Sequence, residues 1–168
     1  MNLVFITDAA PPQINGVVTT IHNLTQALEY KKHWIHTYNP NHSIFKKVKL
    51  PFYKDIKVVI NPWRINRLIE FMEKNNARIK HYHIFTEGPL GLAAKIILDR
   101  KGIKYSTSFH TNFHQYLRWV PESWTLKYLK WFHSKAITTM VPTESLKEEL
   151  EDKGFSNLSV LHRGVNTT

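Results

Sequence analysis

The sequence of 168 residues contains no cysteine. A disulfide framework, a thiolate metal site and a cysteine nucleophile are therefore excluded. No apolar run approaches the roughly 20 residues that a membrane-spanning helix requires. No basic segment precedes the short apolar run near the N-terminus, as it would in a signal peptide. With 42% hydrophobic and 21% charged residues, we expect one folded, cytoplasmic domain.

Common nucleotide- and metal-binding motifs are missing as well. The chain has no G-x-G-x-x-G and no Walker A loop, which argues against a nicotinamide enzyme and a P-loop NTPase. It has no Asp-x-Asp pair that could hold a metal-bound diphosphate. His110 and His114 are four residues apart, but the tract lacks the glutamate of a zinc-protease helix and no third ligand is evident. We expect neither a metal nor a cofactor.

Acidic residues are few, and the chain is strongly basic. Lys and Arg number 23 against 13 Asp and Glu, which gives a net charge of +10. From Lys31 to Lys80 there are 12 basic residues and three acidic ones, so most of the excess lies in less than a third of the sequence. Such a surface attracts an anionic membrane, at about 1 kcal/mol per basic residue, and would attract nucleic acid too. The absence of RNP, KH and zinc-knuckle patterns disfavours nucleic acid, while a solvated surface without a partner stays open.

Short apolar runs alternate with helical periods along the chain. This alternation predicts an α/β fold with a Rossmann-like, mostly parallel sheet and helices on both faces. Strands are predicted at residues 3–6, 34–38, 57–60, 83–86, 105–109, 136–141 and 159–161. Helices are predicted at residues 17–30, 63–75, 90–101, 124–134 and 144–153. Residues 39–55 show no clear period and are predicted as a long loop.

The loop after the first predicted strand has the composition of an anion site. Residues 6–17 read ITDAAPPQINGV, and the following helix begins next to Gly16. The first backbone N–H groups of a helix have no internal partner, and the helix dipole favours negative charge there. Gly16 has no Cβ and would let a ligand approach, although it could equally serve only to make the turn. This loop and those after residues 86 and 109 follow predicted strands, at the edge where open parallel sheets bind ligands.

Six tracts, taken together, resemble one known family. They are residues 6–17, 86–94 (TEGPLGLAA), 109–117 (FHTNFHQYL), 120–124 (VPESW), 140–146 (MVPTESL) and 163–167 (RGVNT). In this order they resemble the family-4 glycosyltransferases, which are retaining enzymes with the two-domain GT-B fold. The subgroup that the chain is most similar to contains GDP-mannose-dependent α-mannosyltransferase-like proteins and relatives that glycosylate membrane lipids.

The resemblance implies roles for individual residues. His110 falls on the histidine between donor sugar and acceptor, where it would hydrogen-bond the transferred sugar or stabilise developing charge. Asn15 and Gly16 would offer backbone N–H groups to the donor diphosphate. Weaker candidates for the acceptor or sugar side are Thr111, Asn112, Glu87 and Tyr53.

Three of these residues also have plainer interpretations. His110 could be a structural histidine that only satisfies its neighbours. Tyr53 could be a core aromatic, as most aromatic residues are. Glu87 could be a carboxylate that caps the backbone of the helix after it.

The resemblance also implies a domain arrangement. Residues 1–163 would form the N-terminal, acceptor-side half of a GT-B fold, and residues 164–168 would begin the crossing to a donor-binding C-terminal domain that this chain does not contain. The implied function is transfer of a hexose, with mannose favoured, from a nucleotide-sugar to a membrane-lipid or glycan acceptor, at the inner face of the membrane. The isolated chain is expected to be inactive. The alternative is a degenerate, non-catalytic domain that binds anionic membrane or a partner protein.

Overall fold

The structure is a computed structural model that describes residues 2–50, 53–75, 79–110 and 121–161. Its strands are β1 (Asn2–Ile6), β2 (Trp34–Tyr38), β3 (Lys47–Leu50), β4 (Tyr53–Val59), β5 (Ile79–Ile84), β6 (Tyr105–Ser108), β7 (Thr139–Val141) and β8 (Leu158–Val160). Its helices are α1 (Gly16–Tyr30), α2 (Ile65–Lys74), α3 (Pro89–Lys101), α4 (Glu122–His133) and α5 (Glu144–Asp152). A 3-10 turn, Pro62–Arg64, leads into α2.

Six of the strands form one parallel sheet in the order β2-β1-β5-β6-β7-β8. From β1 the chain moves outward to β2 and later returns to β5 on the other side of β1. The strand order therefore reverses between β1 and β5, and the loops after these two strands diverge. In open sheets of this kind, the crevice at the carboxyl ends of the two strands is where ligands bind.

Alternate residues of β1 pack on opposite faces of the sheet. Val4 and Ile6 belong to the main core, together with side chains of α2 and α3. Phe5 packs on the other face with Ile21 of α1 and with Phe85. Successive side chains of a strand point to opposite faces, so these two cores place helices on both sides of the sheet. The predicted α/β, Rossmann-like fold is confirmed.

The region between β2 and α2 differs from its prediction. Residues 39–55 were expected to be a long loop, but Lys47–Leu50 forms β3, which pairs antiparallel with β4. The strand predicted at 57–60 is the second half of β4, and it belongs to this hairpin instead of the main sheet. The alternation Lys-Val-Lys-Leu in β3 spans only four residues and is followed by Pro51, too short a pattern to stand out.

A buried lysine joins α3 to β6 and α4. Lys95 is 1% exposed, and its Nζ donates to Asp99 Oδ2 at 2.6 Å. Asp99 Oδ1 accepts a hydrogen bond from the Tyr105 hydroxyl at 2.9 Å, and Lys95 Nζ lies 4.2 Å from the Trp131 ring centroid. Burial and the Asp99 carboxylate raise the pKa of Tyr105, which keeps this hydroxyl protonated as a donor. The two helices and the central strand β6 are thus tied together by one buried side chain.

Within the described residues, none of the helices has the length and apolar character needed to cross a membrane.

Candidate functional site

The loops after β1 and β5 are hydrogen-bonded to each other at the point where the strand order reverses. The backbone N–H of Asp8 donates to Thr86 Oγ1 at 2.7 Å, and the Thr86 hydroxyl donates to Asp8 Oδ2 at 2.8 Å. Residues 78 positions apart in the chain therefore close the floor of the crevice. These contacts satisfy the backbone N–H of Asp8 and the hydroxyl of Thr86 within the protein, so neither group needs a ligand or water as its partner.

Asp8 also supplies the carboxylate at the N-terminus of α3. Its Oδ1 accepts from the N–H of Leu90 at 2.7 Å, and its Oδ2 accepts from the N–H of Gly91 at 3.1 Å. A Cβ on Gly88 would lie 2.6 Å from Asp8 Cγ, so the approach of this carboxylate requires glycine there. Burial raises the pKa of Asp8, while the two N–H donors and the Thr86 hydroxyl oppose that rise. The predicted cap by Glu87 is wrong, because Asp8 occupies the position.

Glu87 instead enters the interior. Its side chain is 3% exposed, and Oε1 lies 3.3 Å from Nε2 of His133 on α4, which is 2% exposed. The Tyr128 hydroxyl, also on α4, donates to the backbone oxygen of Glu87 at 2.6 Å. Burial raises the pKa of Tyr128, and the Glu87 and Asp8 charges add to the rise, so this donor stays protonated. Glu87 therefore links the β5 loop to α4.

His110 lies at the same edge, two residues after the end of β6. The N–H of Phe109 donates to the Met140 carbonyl at 2.8 Å, which keeps the chain paired with β7 as far as Phe109. His110 is half-buried, and its charge helps to lower the pKa of His83 in β5. The ring of Phe109 packs 5.6 Å from that of His133, centroid to centroid. Phe109, the residue before His110, is therefore held through its backbone by β7 and through its ring by α4.

The N-terminus of α1 is capped by Asn15. Its Oδ1 accepts from the N–H groups of Val17 and Val18, at 3.1 and 3.0 Å. Within the part of the chain that the structure describes, the backbone N–H groups of Asn15 and Gly16 donate no hydrogen bond, and Gly16 is exposed. The Asn15 side chain thus accepts from the second and third backbone N–H groups of α1. The backbone N–H groups of Asn15 and Gly16 are the ones that the predicted anion contact would use.

The remaining predicted site residues are placed less fully. Tyr53 begins β4, in the hairpin outside the main sheet, and its side chain lies outside the description. Thr111 and Asn112 lie outside the described residues. Among the described residues, no group of three or more His, Asp or Glu side chains could hold a metal ion.

Sequence reasoning did not single out three side chains of this edge, Asp8, His83 and His133. Asp8 lies in the tract of residues 6–17, where a carboxylate directly after a buried strand was an available signal. His83 alternates with apolar residues, a pattern that also fits a strand with one solvated face. His133 is the last residue of α4, and no sequence pattern marks it. Its contacts are with distant residues: its Nε2 lies 3.3 Å from Glu87 Oε1, and its Nδ1 lies 2.8 Å from Thr107 Oγ1.

A parallel sheet with helices on both faces and its loops joined at the reversal of strand order is a Rossmann-like architecture, and it is consistent with the N-terminal half of a GT-B glycosyltransferase. Residues 14–168 match the family model described as Glycosyltransferase Family 4, and the chain belongs to that family. No match was found among curated proteins. The family predicted from the six tracts is confirmed, while the mannosyltransferase-like subgroup stays a prediction. The matched range includes Asn15, Gly16, Glu87 and His110, and membership assigns the chain a role in glycosyl transfer.

Proposed function

We propose that the chain is the acceptor-side domain, residues 1–163, of a retaining glycosyltransferase, and that residues 164–168 lead into a donor-binding domain. The reaction we propose moves a hexose, with mannose as first candidate, from a nucleotide-sugar to a membrane-lipid or glycan acceptor. The observation that carries it is the position of His110 and the α1 N-terminus at one edge of one sheet. Only β5 separates β1 from β6, so their ends are about 10 Å apart at a strand spacing of about 4.8 Å.

The chemistry follows from the charges that develop in the reaction. The nucleotide diphosphate leaves with growing negative charge, and the N–H groups of Asn15 and Gly16, at the positive end of α1, would stabilise it. His110 would hydrogen-bond the transferred sugar while the acceptor hydroxyl attacks from the face that the nucleotide leaves. Because Glu87 is 3% exposed and paired with His133, we propose that it holds α4 in place without touching the acceptor.

A transfer assay tests this function. Labelled sugar from a panel of nucleotide-sugars is offered to a bacterial lipid extract, with the chain alone and with the full-length protein, by which we mean the chain joined to the donor-binding domain that we propose. We expect product only with the joined form, because half of the cleft leaves the departing phosphate in water. Product from the chain alone would contradict the need for a second domain. No product in either form would favour the non-catalytic alternative.

We also propose that the domain works at the inner face of the membrane, where it binds anionic lipid. The basic stretch from Lys31 to Lys80 covers several elements, from the residue after α1 to β5. One compact part of it stands out on α2, where Arg67, Phe71 and Lys74 are exposed at spacing i, i+4, i+7 and so share a face.

Aromatic residues complete this stripe, which we define as Trp63, Arg67, Phe71 and Lys74. Trp63 on the 3-10 turn is 49% exposed and Phe71 is 62% exposed. Exposed aromatic rings among basic side chains suit the boundary of headgroups and acyl chains. The stripe is thus the part of the basic region that we propose touches lipid.

Charge reversal on the stripe gives a direct test of lipid binding. We expect Arg67→Glu with Lys74→Glu to weaken binding to phosphatidylglycerol vesicles by at least about 2 kcal/mol, a factor of about 30. The matched control is Lys104→Glu with Lys127→Glu, two exposed lysines elsewhere on the domain, and vesicle sedimentation is the measurement. An equal loss in both double variants would show an effect of net charge alone and reject the stripe.

A further inference from the structure

A row of histidine and serine side chains crosses one face of the sheet from β5 to the end of β6. His81 Nε2 lies 2.6 Å from Ser106 Oγ, Ser106 Oγ lies 2.5 Å from His83 Nδ1, and His83 Nε2 lies 2.7 Å from Ser108 Oγ. Ser106, His83 and Ser108 are 1%, 4% and 5% exposed. Buried polar groups at this depth are stable only when they are hydrogen-bonded, as they are here.

His83 is neutral, so along the row it donates one hydrogen bond and accepts the other. Burial, assisted by the charges of His81 and His110, lowers the pKa of His83 to about 3. A neutral imidazole has one N–H and one acceptor nitrogen, and both nitrogens of His83 face a serine hydroxyl. One serine must therefore accept from His83 while the other donates to it, so the orientation of the Ser108 hydroxyl depends on the tautomer of His83.

The row ends next to His110. Residues 106, 108 and 110 occupy alternate positions, which share one face of an extended chain, and strand pairing persists to Phe109. The ring of His83 is held edge-on against Phe85 and Phe5, with centroids 4.3 and 6.1 Å apart. Because the His83 ring is held in this way, it can fix the position of the Ser108 hydroxyl that it contacts.

We propose that His83 is a positioning residue for His110, because its contact with Ser108 fixes the end of β6 and the hydrogen-bond direction just before His110. This proposal depends on the proposed function, in which His110 is the catalytic group. His83 itself is 4% exposed and does not touch substrate. A displacement of a reacting group by about 1 Å can cost a hundredfold in rate, so a role in positioning is large enough to measure.

The test compares hydroxyl removal on the row with hydroxyl removal elsewhere in the same sheet. In the full-length protein we expect Ser108→Ala to lower kcat by about 10- to 100-fold, with the donor KM changed by less than about twofold. The matched control is Thr139→Val, which removes a buried hydroxyl that pairs with Thr107 Oγ1 at 2.9 Å. We expect its kcat to stay within about twofold of the parent. His83→Gln, whose amide can still bond to Ser108, should keep more activity than His83→Phe.

A second measurement uses the imidazole nitrogen resonances of the labelled chain. We expect His83 to show one neutral tautomer from about pH 5 to pH 8, and the His110 resonances to shift in Ser108→Ala but not in Thr139→Val. Unchanged His110 resonances and kcat in Ser108→Ala would overturn the proposal, as would an equal loss of kcat in the control. If the full-length protein transfers no sugar from any donor, the proposed function fails, while the resonances still decide whether His83 positions His110.

Discussion

We expect His110→Ala to lower kcat for sugar transfer by the full-length protein about 100- to 1,000-fold, while the donor KM changes by less than about threefold. Loss of one preorganised hydrogen-bond donor to developing charge costs about this much in other enzymes. His110 is a half-buried residue at the carboxyl edge of the sheet, after β6, which is two strands away from the strand that leads into α1. Most of the donor would be held by the second domain, so its ground-state binding should survive.

Two further variants separate catalysis from folding. His110→Gln keeps an amide donor near the ring position and should retain more activity than His110→Ala. His36→Ala removes another half-buried histidine, on edge strand β2, and should leave kcat within about twofold of the parent. Initial rates with labelled nucleotide-sugar provide the measurement. A His110→Ala enzyme with the parental kcat would reject the catalytic role and support the structural interpretation of this histidine.

The edge where the site forms could be predicted because it depends only on the order of elements. Once strands and helices alternate in a parallel sheet, every loop that leaves a strand lies at the same edge. The loop with Gly16 and the loop with His110 were therefore correctly predicted to leave the sheet at the same edge, without knowledge of any side-chain contact. Local pattern was sufficient for this step.

The partners of the buried polar groups could not be predicted, because they come from distant parts of the chain. Glu87 lies between β5 and α3 and was the carboxylate nearest to the N-terminus of α3 in the sequence, whereas Asp8 follows β1, which leads into α1. The choice is set by the distance between the two loops: Asp8 is 82 positions from Leu90 yet lies 2.7 Å from its N–H. Glu87, next to Gly88 in sequence, is free to turn inward to His133.

Pattern alone does not reveal how the face of β5 that carries His81 and His83 is packed. Alternation of polar and apolar residues normally indicates a strand with one solvated side. Here His83, Ser106 and Ser108 are buried and His81 is half-buried, and the two histidines contact the hydroxyls of the two serines on the neighbouring strand. The matching alternation of polar residues in β5 and β6 predicts these contacts only when it is known that the two strands are neighbours in the sheet.

Removal of the Asp8 carboxylate is expected to have the largest effect on stability. We expect Asp8→Ala to lower the free energy of unfolding by about 2–3 kcal/mol, because the N–H groups of Leu90 and Gly91 and the hydroxyl of Thr86 lose their acceptor. The control is Asp152→Ala, since Asp152 is exposed at the end of α5 and its loss should cost less than about 0.5 kcal/mol. Urea unfolding followed by tryptophan fluorescence measures both.

The raised pKa of Asp8 makes this contribution depend on pH in a definite direction. In the unfolded chain the carboxyl ionises near its ordinary pKa of 3.8, whereas in the folded chain it holds its proton to higher pH. Its share of the stability is therefore fully present below pH 3.8 and declines as pH rises through the folded pKa. Asp8→Asn cannot ionise, so the parent should lose stability relative to this variant as pH rises from 3.8 through the raised pKa of the folded carboxyl. A difference that stayed constant, or that grew in favour of the parent, would mean that the two N–H donors outweigh burial and that the folded carboxyl ionises more readily than the unfolded one.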